Sequence, residues 1–225
     1  MASPSPARLR AFVRRHTRLR DVPDVPGLRL HTGDDVMEIC RLAGLELGQP
    51  DPPLPFWAFP WAGGLAIARH LVDHPELVAG RRVVDVASGS GLCAIVAARN
   101  GAADVTAFDV DPIAEAAATL NARANRVQLV ARRADPLGTP PPECDVILAG
   151  DVCYEETMAA RMIAWLRTAA DHGVDVLLGD PHRRYLPPDL EALATYRVET
   201  SRELEPTTTT EAGVFTIRSM APSGS

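Results

Sequence analysis

The sequence is marked first by patterns that it does not contain. None of the 225 residues is lysine, so all 23 basic side chains are arginines. The cysteines form no Cys-x-x-Cys pair and have no zinc-ligand spacing, which argues against a metal site and against a disulfide framework. No apolar run approaches the roughly 20 residues that a membrane-spanning helix needs. These absences favour a globular protein that neither crosses a membrane nor binds a structural metal.

Composition and charge narrow the class further. Apolar residues make up 46% and charged residues 23% of the chain, which is typical of a soluble globular protein. The net charge of −6 argues against a general nucleic-acid binder, which would show a basic face. We interpret the arginines between Arg8 and Arg20 as a solvated helix face rather than a site for an acidic partner. Because the N-terminus lacks the apolar region of a signal peptide, we expect a cytoplasmic protein.

The cysteines are interpreted as structural residues. Three of the four fall in apolar segments, and no histidine stands beside any of them to activate a thiolate. We therefore expect small core residues in a reducing compartment rather than a nucleophile. The four are Cys40, Cys93, Cys144 and Cys153.

Strand-like and helix-like segments alternate through the middle of the chain. Five short apolar strands are predicted, each followed by a helical pattern or a connection: RRVVDVAS, DVTAFDVD, VQLVARRAD, CDVILAGDV and DVLLGD. Such alternation indicates a parallel, doubly wound sheet. Two further strand-like runs, YRVETSREL and VFTIRSM, are too close for a helical crossover and must form an antiparallel hairpin. The predicted fold is therefore α/β, with a mostly parallel seven-stranded sheet that ends in a hairpin.

The predicted domain organisation has three parts. Residues 1–55 form an N-terminal extension that packs on the core, residues 56–219 form the functional domain, and residues 220–225 form a flexible tail. Within the extension, a short helix is predicted from Asp34 to Ala43, because the acidic residues at its start favour a helix N-terminus. The Pro-rich stretch DVPDVPGLRLHTGDD is predicted to be a connection.

A glycine-rich turn follows the first predicted strand. Gly89-x-Gly91-x-x-Ala94 fits a dinucleotide-binding turn, an S-adenosylmethionine turn, or a strand-to-helix connection without a ligand. Asp85 lies just before the turn, where a carboxylate suits a cationic amino-acid group and would repel a pyrophosphate. Asp109 ends the second strand, where it can accept both hydroxyls of a ribose. Asp135 is expected to end the third strand and to accept from an adenine amino group.

These acids and the terminal hairpin favour S-adenosylmethionine over NAD. Strand alternation is expected to point Asp111 away from the site, and Ile113 is expected to pack on the adenine. Ala87 stands where many methyltransferases have glycine. The predicted cofactor-binding residues are Trp61, Asp85, Ala87, Ser88, Gly89, Gly91, Asp109, Val110, Asp135 and Gly150.

Residues 55–185 resemble a known family. PFWAFPWAGGLAIARHLVDHPELVAGRRVVDVASGSG, FDVDPIAEAAATLNARAN, AGDVCYEE and LLGDPHR are similar to the seven-β-strand (class I) protein-lysine methyltransferases of family 16, above all to those of the electron-transfer-flavoprotein β-subunit. The resemblance implies a class I methyltransferase fold and a protein-lysine substrate, with that β-subunit as a candidate. It also implies that the Trp-containing segment covers the cofactor at Trp61, although an ordinary hydrophobic plug is the alternative.

The Asp/Glu-x-x-Tyr/Phe signature of that family is matched by Asp151-Val152-Cys153-Tyr154, which makes Asp151 and Tyr154 the predicted catalytic residues. A free lysine is only about 0.1% neutral near pH 7.4, and only the neutral amine can accept a methyl group. Asp151 is therefore expected to capture and orient the ammonium, and Tyr154 to contact the amine. The alternative for Asp151 is the N-cap of the helix that follows. Asn121 is expected to face the same pocket.

The loop after the fifth strand, residues 179–183, is expected to meet the substrate. The family more often has glycine than histidine at position 182, so His182 is not expected to be catalytic.

Other functions remain open at the level of sequence. A small-molecule N-methyltransferase would use the first 55 residues as a lid, an NAD-dependent oxidoreductase would bind a dinucleotide at the turn, and a methyltransferase-like module would bind without catalysis. We expect a monomer that binds neither nucleic acid, membrane nor metal. A lysine methyltransferase of this sequence would have no lysine of its own to methylate.

Overall fold

The fold is centred on one seven-stranded sheet, seen in a computed structural model that describes residues 4–200 and 208–218. A second, two-stranded sheet lies in the N-terminal segment. The strands are β1 (Arg18–Asp21), β2 (Arg29–Thr32), β3 (Arg82–Val86), β4 (Asp104–Asp109), β5 (Val130–Arg133), β6 (Val146–Gly150), β7 (Asp175–Asp180), β8 (Glu191–Glu199) and β9 (Thr209–Thr216). The large sheet has the order β5-β4-β3-β6-β7-β9-β8, parallel from β5 to β7 and antiparallel at β9 and β8. The predicted mostly parallel sheet with a terminal hairpin is confirmed.

Six α-helices and three single 3-10 turns complete the described structure. The helices are α1 (Pro6–His16), α2 (Val36–Leu47), α3 (Ala62–Asp73), α4 (Leu92–Arg99), α5 (Pro112–Ala124) and α6 (Glu156–Asp171), and the turns are Phe56–Ala58, Pro75–Leu77 and Pro136–Gly138. The helix that was predicted from Asp34 to Ala43 is α2. It begins where the side chain of Asp35 accepts from the Glu38 N–H, and it ends at Gly48 with a left-handed φ of 66°.

The strand residues alternate between the two faces of the sheet, so that each face carries its own core. Val83, Leu148 and Leu177 pack on one face with α3 and α4. Ile147 and Leu178 pack on the other face with α6. Because both faces are covered, β3, β6 and β7 are buried along almost their whole length.

The N-terminal segment contains a hairpin that the sequence did not indicate. The stretch predicted as a connection, residues 21–35, instead contains β2 and the last residue of β1, and the rest of β1 lies in the arginine-rich stretch that was interpreted as a helix face. The two strands pair antiparallel from Arg18 opposite Thr32 to Asp21 opposite Arg29. Most residues of these strands are at least partly exposed, so their sequence lacks the apolar alternation by which a strand is recognised. Helices α1 and α2 join a third apolar cluster with α5 and Trp57. The boundary proposed at residue 55 stays a prediction.

The C-terminal hairpin starts earlier in the sequence than predicted on both strands. Strand β8 begins at Glu191 rather than at the tyrosine of YRVETSREL, and β9 begins at Thr209 within the predicted connection. The threonine run therefore enters the ladder, where Val198 lies opposite Thr210. Part of the connecting loop, residues 201–207, and the predicted tail, residues 220–225, lie outside the described residues.

Helix α3 approaches the sheet through glycines. A Cβ built on Gly63 would overlap the carbonyl oxygen of Gly179, and a Cβ on Gly150 would lie 3.0 Å from the Cα of Gly64. Gly150 and Gly179 are themselves paired across the last rung between β6 and β7. The first turn of α3 therefore rests directly on the carboxyl ends of two strands, a contact that no side chain larger than hydrogen permits.

This contact predicts a strong effect of a single methyl group. Gly63→Ala is expected to lower the free energy of unfolding by about 2 to 3 kcal/mol, because the methyl must displace backbone rather than a flexible side chain. Gly138→Ala is the control, since a Cβ there meets nothing within 4 Å. Urea denaturation of both variants measures the difference. Equal stability of the two would show that the α3 contact is less tight than described.

Candidate active site

One cavity of about 470 Å³ opens at the carboxyl ends of the parallel strands. This is the edge where open α/β sheets bind ligands. Of the predicted site residues, all but one line it: Trp61, Asp85, Ala87, Ser88, Gly89, Asp109, Val110, Asp135, Gly150, Asp151 and Tyr154. The tertiary structure therefore brings the two predicted sets, for the cofactor and for catalysis, into a single space.

Gly91 is the exception, and it has a packing role. Its φ of 80° is left-handed, it begins α4, and a Cβ there would lie 3.0 Å from the Cβ of Ala118. It does not line this cavity, and its predicted part in cofactor binding stays a prediction. Ala87 also has a left-handed φ, 53°, which explains why glycine is the usual residue at this position.

Hydrogen bonds hold the glycine turn against β4. The Ser88 N–H donates to the Phe108 carbonyl at 3.0 Å, and the Gly89 N–H donates to Oδ2 of Asp109 at 2.8 Å. Oδ1 of Asp109 accepts from the Asp111 N–H at 2.9 Å. Asp109 is therefore fixed in orientation at the cavity wall, and each of its oxygens keeps capacity to accept another donor.

Two expectations about the segment after β4 are wrong. Asp111 was expected to point elsewhere, but the chain turns after Asp109, the strand alternation ends, and Asp111 also lines the cavity. Ile113 was expected at the adenine, but it is fully buried in the cluster beneath α1 and Trp57. Val110, 64% exposed, lies at the cavity instead.

Asp135 lines the cavity but does not end a strand. Strand β5 stops at Arg133, and Asp135 caps the following turn by accepting from the Leu137 N–H at 3.0 Å. Its other oxygen lies 3.4 Å from Nη2 of Arg161. The expected strand ending is therefore wrong because β5 is a short, mostly exposed edge strand.

Asp85 is the most deeply buried acid of the cavity. Oδ2 accepts from the Ala94 N–H at 3.1 Å in the first turn of α4. Burial raises the pKa of Asp85 to about 8, and the nearby charge of Asp109 adds to this shift. Burial likewise raises the pKa of Asp111 to about 6 and raises the pKa of Asp109. Such a set of carboxyls favours a ligand that brings positive charge.

Asp151 lines the same cavity directly after the end of β6. The N–H groups of Gly63 and Gly64 donate to its Oδ1 and Oδ2 at 3.0 and 2.7 Å, and Nη1 of Arg183 donates to Oδ1 at 2.5 Å. The carboxylate thus caps the first turn of α3. The alternative role as N-cap of the following helix is wrong, because Glu155 caps α6 by accepting from Thr157 and Met158.

An aromatic wall borders the mouth of the cavity. Trp61 donates from Nε1 to the Phe56 carbonyl at 3.0 Å. The Phe56 ring lies 5.4 Å from the Trp61 ring and 5.2 Å from the Tyr154 ring. Tyr154 is 48% exposed, whereas Trp57 is buried against Phe12. Trp61 and Tyr154, predicted for different roles, therefore share one surface.

The loop after β7 contributes Arg183 rather than His182. His182 has a left-handed φ of 61°, which explains the usual glycine, and its ring packs 5.5 Å from Phe215. Arg183 lines the cavity, and the sequence named it only as part of the loop. Met158 and Met162 were also missed, although their spacing of four places both on one face of α6.

Asn121 does not line the cavity. It is fully buried, donates from Nδ2 to the Ser90 carbonyl at 2.8 Å, and accepts from the His31 N–H at 2.8 Å. The expected place in the pocket is wrong, because this amide joins the glycine turn to strand β2. Asn125, one turn later, binds the backbone of Arg29 in the same manner.

The buried cysteines are poor nucleophiles. Burial raises the pKa of Cys144 to about 11 and that of Cys153 to about 12, and raises the pKa of Cys93 well above its ordinary value. Among the described residues, no group of three or more His, Cys, Asp and Glu side chains is placed to hold a metal ion. None of the described helices is long and apolar enough to cross a membrane.

Comparison with known proteins identifies the family. A family model for ribosomal protein L11 methyltransferase (PrmA) matches residues 71–151. The electron transfer flavoprotein beta subunit lysine methyltransferase of Xenopus laevis is 35% identical over 176 residues, which cover 77% of this chain and 70% of that protein. The chain belongs to the family of electron transfer flavoprotein β-subunit lysine methyltransferases. The resemblance predicted from the sequence is confirmed.

Two further comparisons define the extent of the likeness. The lysine methyltransferase of the same family from Danio rerio is 42% identical over 133 residues, which cover 58% of this chain and 52% of that protein. The chain thus spans about half the length of that relative. A magnesium protoporphyrin IX methyltransferase from Synechocystis with bound S-adenosylmethionine aligns with a TM-score of 0.51 at 19% identity, over 69% of this chain and 78% of that one. The latter likeness confirms the class I methyltransferase fold.

Replacing the buried acid Asp85 with asparagine is expected to raise the stability of the protein and to weaken its binding of the cofactor product. Folded Asp85 keeps its proton up to about pH 8, whereas its ordinary pKa is 3.8. The stability that this proton contributes is present below about pH 4 and is lost as the pH rises to about 8. Asp85→Asn is therefore expected to raise the melting temperature at about pH 8.5 by roughly 3 °C or more, corresponding to about 1 kcal/mol. The gain is expected to shrink near pH 5.5.

The same variant is expected to bind S-adenosylhomocysteine at least about tenfold more weakly at about pH 8.5, because the carboxylate that would meet a cationic amine is lost. Thermal melts and calorimetry at the two pH values measure both effects. Asp104→Asn is the matched control, because Asp104 is an exposed acid at the start of β4 and does not line the cavity. An Asp85→Asn protein that is less stable at both pH values would contradict the buried-charge argument.

Proposed function

We propose that this protein is an S-adenosylmethionine-dependent N-methyltransferase that modifies lysine in a protein substrate. The observation that carries the proposal is the position of Asp151, which faces the same cavity as the glycine turn and the half-exposed Tyr154. The cofactor half and the acceptor half of a methyl-transfer site thus share one space. Membership of the lysine methyltransferase family supports the reaction type.

The residues of the cavity fit the cofactor by chemistry. Asp85 suits the cationic amino-acid end, and Asp109 presents oxygens that can accept from the ribose hydroxyls. Gly89, with a φ of 53°, allows close approach at the turn. When bound, S-adenosylmethionine supplies a sulfonium methyl that passes to the nitrogen lone pair of the acceptor and leaves S-adenosylhomocysteine. Solved structures of this fold with the bound cofactor support the assignment.

Asp151 is assigned to hold the acceptor amine. Oδ2 receives one protein hydrogen bond, from Gly64, so it keeps capacity to accept an N–H of the substrate. The carboxylate is rigid, because α3 and Arg183 fix it, and a fixed acceptor orients the amine for in-line attack. Tyr154 lies beside it at the mouth, where its ring can contact a methylated cation.

The rim favours an acceptor on a protein surface. Leu54, Val110 and Tyr154 line the cavity and are all substantially exposed, so they offer apolar contacts around an incoming side chain. The electron transfer flavoprotein β-subunit is the first candidate substrate, because the relatives are named for it. The alternative is a small-molecule N-methyltransferase, favoured by Pro53 and Leu54, which bring part of the N-terminal segment into the wall of the cavity.

The test uses labelled S-adenosylmethionine. The full chain is incubated with purified electron transfer flavoprotein and, separately, with a cell lysate, and the modified residue is identified by mass spectrometry. Because the enzyme contains no lysine, any methyl-lysine arises on the substrate. Label in lysine of the β-subunit is the expected result. Label only in small metabolites would instead establish the alternative.

A variant isolates the acceptor site. Asp151→Asn is expected to lower methyl transfer about 100-fold, because the amide loses the charge that orients the amine and loosens the contact to Arg183. Affinity for S-adenosylhomocysteine is expected to stay within about threefold, because Asp151 is assigned to the acceptor rather than the cofactor. Asp104→Asn serves as the control. Unchanged turnover would remove Asp151 from the catalytic residues.

A further inference from the structure

We propose that the guanidinium of Arg183 offsets the negative charge of Asp151, so that an acceptor ammonium in the site can pass its proton to solvent water and become the neutral amine that accepts the methyl group. This inference rests on the proposed lysine methyltransferase function. Arg183 is then a positioning residue that acts through Asp151, and it favours the neutral, reactive form of the amine. The four-residue signature from Asp151 to Tyr154 does not include this arginine, although Arg183 ends the LLGDPHR stretch that resembles the family.

The two oxygens of the Asp151 carboxylate accept different numbers of hydrogen bonds. Oδ1 accepts from both the Gly63 N–H and Nη1 of Arg183, whereas Oδ2 accepts only from the Gly64 N–H. The side chains of Asp151 and Arg183 are 11% and 20% exposed, so water screens their charges little. An amine that reaches Oδ2 therefore meets a carboxylate whose charge is already balanced by a guanidinium and by the first turn of a helix.

Asp180 contacts both the backbone and the guanidinium of Arg183. The Arg183 N–H donates to Oδ1 of Asp180 at 2.6 Å, and Nη1 lies 3.7 Å from Oδ2. Asp180 is completely buried, and Oδ2 has no hydrogen-bond partner among the described residues. Burial raises the pKa of Asp180 to about 6. The turn after β7 thus places one guanidinium between two carboxyl groups, nearer to the one that faces the cavity.

Among residues 4–200 and 208–218, other titratable groups also lie near this pair. They are Cys93 on α4, Cys153 and Tyr154 after β6, and His182 beside Arg183. Burial raises the pKa of each thiol and of the phenol, so these three groups are neutral at physiological pH. Asp85 lies near Cys93, as Asp151 does, and its titration is common to every variant compared below.

The expected consequence follows from the sign of the charges. A bare carboxylate beside an amine stabilises the ammonium and raises the amine pKa. A guanidinium on that carboxylate opposes the effect, so more of the amine is neutral at a given pH. Without the guanidinium, each unit by which the amine pKa rises lowers the neutral fraction tenfold at pH values below that pKa.

The experiment compares pH profiles of kcat, which report ionisations within the enzyme–substrate complex, for methyl transfer at saturating S-adenosylmethionine and saturating protein substrate. Arg183→Gln is expected to be about tenfold slower than wild type near pH 7.4, with the difference closing above about pH 9.5 as the amine deprotonates. Arg183→Lys keeps the positive charge and is expected to keep the acidic limb of wild type, even if kcat falls. Methylation of the introduced amine would not remove its charge.

Two outcomes would overturn the proposal. One is a loss in Arg183→Gln that is equal at every pH, which indicates a merely structural role. The other is an acidic limb that stays in place in Arg183→Gln or moves equally in Arg183→Lys. Asp180→Asn is the second variant, should Arg183→Gln fail to fold. It removes a negative charge, so its acidic limb is expected at the wild-type pH or lower, and an upward shift would contradict the proposal.

The failure of the proposed function gives a different result. If the wild-type protein transfers no methyl group to lysine at any pH, the proposed function is wrong, and there is no activity from which a pH profile could be measured. Calorimetry with S-adenosylhomocysteine checks that each variant is folded and retains its cofactor side. A change confined to the pH profile, with unchanged affinity for this product, is the signature of the Arg183–Asp151 pair.

Discussion

The docking of helix α3 on the carboxyl ends of β6 and β7 is the constraint on which the rest of the site depends. Gly63 and Gly64 touch the backbone of Gly179 and Gly150, and the freed N–H groups of the same turn bind Asp151. The carboxylate satisfies donors that the helix leaves unpaired at its start. One interaction therefore closes the core, orients the proposed acceptor group and sets the wall of the cavity.

The cavity combines two electrostatic environments. On the cofactor side, Asp85 is buried, and Asp109 and Asp111 are partly buried. Burial raises the pKa of all three carboxyls, and a cationic ligand would offset the cost of ionising them. On the acceptor side, Asp151 is already balanced by Arg183 and a helix N-terminus. The acids on the cofactor side favour the binding of a cation. The Asp151–Arg183 pair does not oppose the loss of a proton from the acceptor amine.

The sequence was informative where structure is local. Alternating strands and helices predicted the sheet and its terminal hairpin, because buried parallel strands are short apolar runs. It failed at β1 and β2, because those strands are mostly solvated and carry no apolar alternation. It also misplaced the end of β5, which lies two residues before Asp135, and the position of Ile113, because a turn after a strand end changes side-chain direction in ways that periodicity does not describe.

What the sequence determined by itself is the fold class, the family and the residue types that meet at the site, since these follow from periodicity and from motifs a few residues long. Only the tertiary structure decided what Asp151 binds. Its partners on α3 lie 88 and 87 residues away in the chain, and Arg183 lies 32 residues away. No spacing rule links them, because their contact exists only once β6, β7 and α3 have packed together.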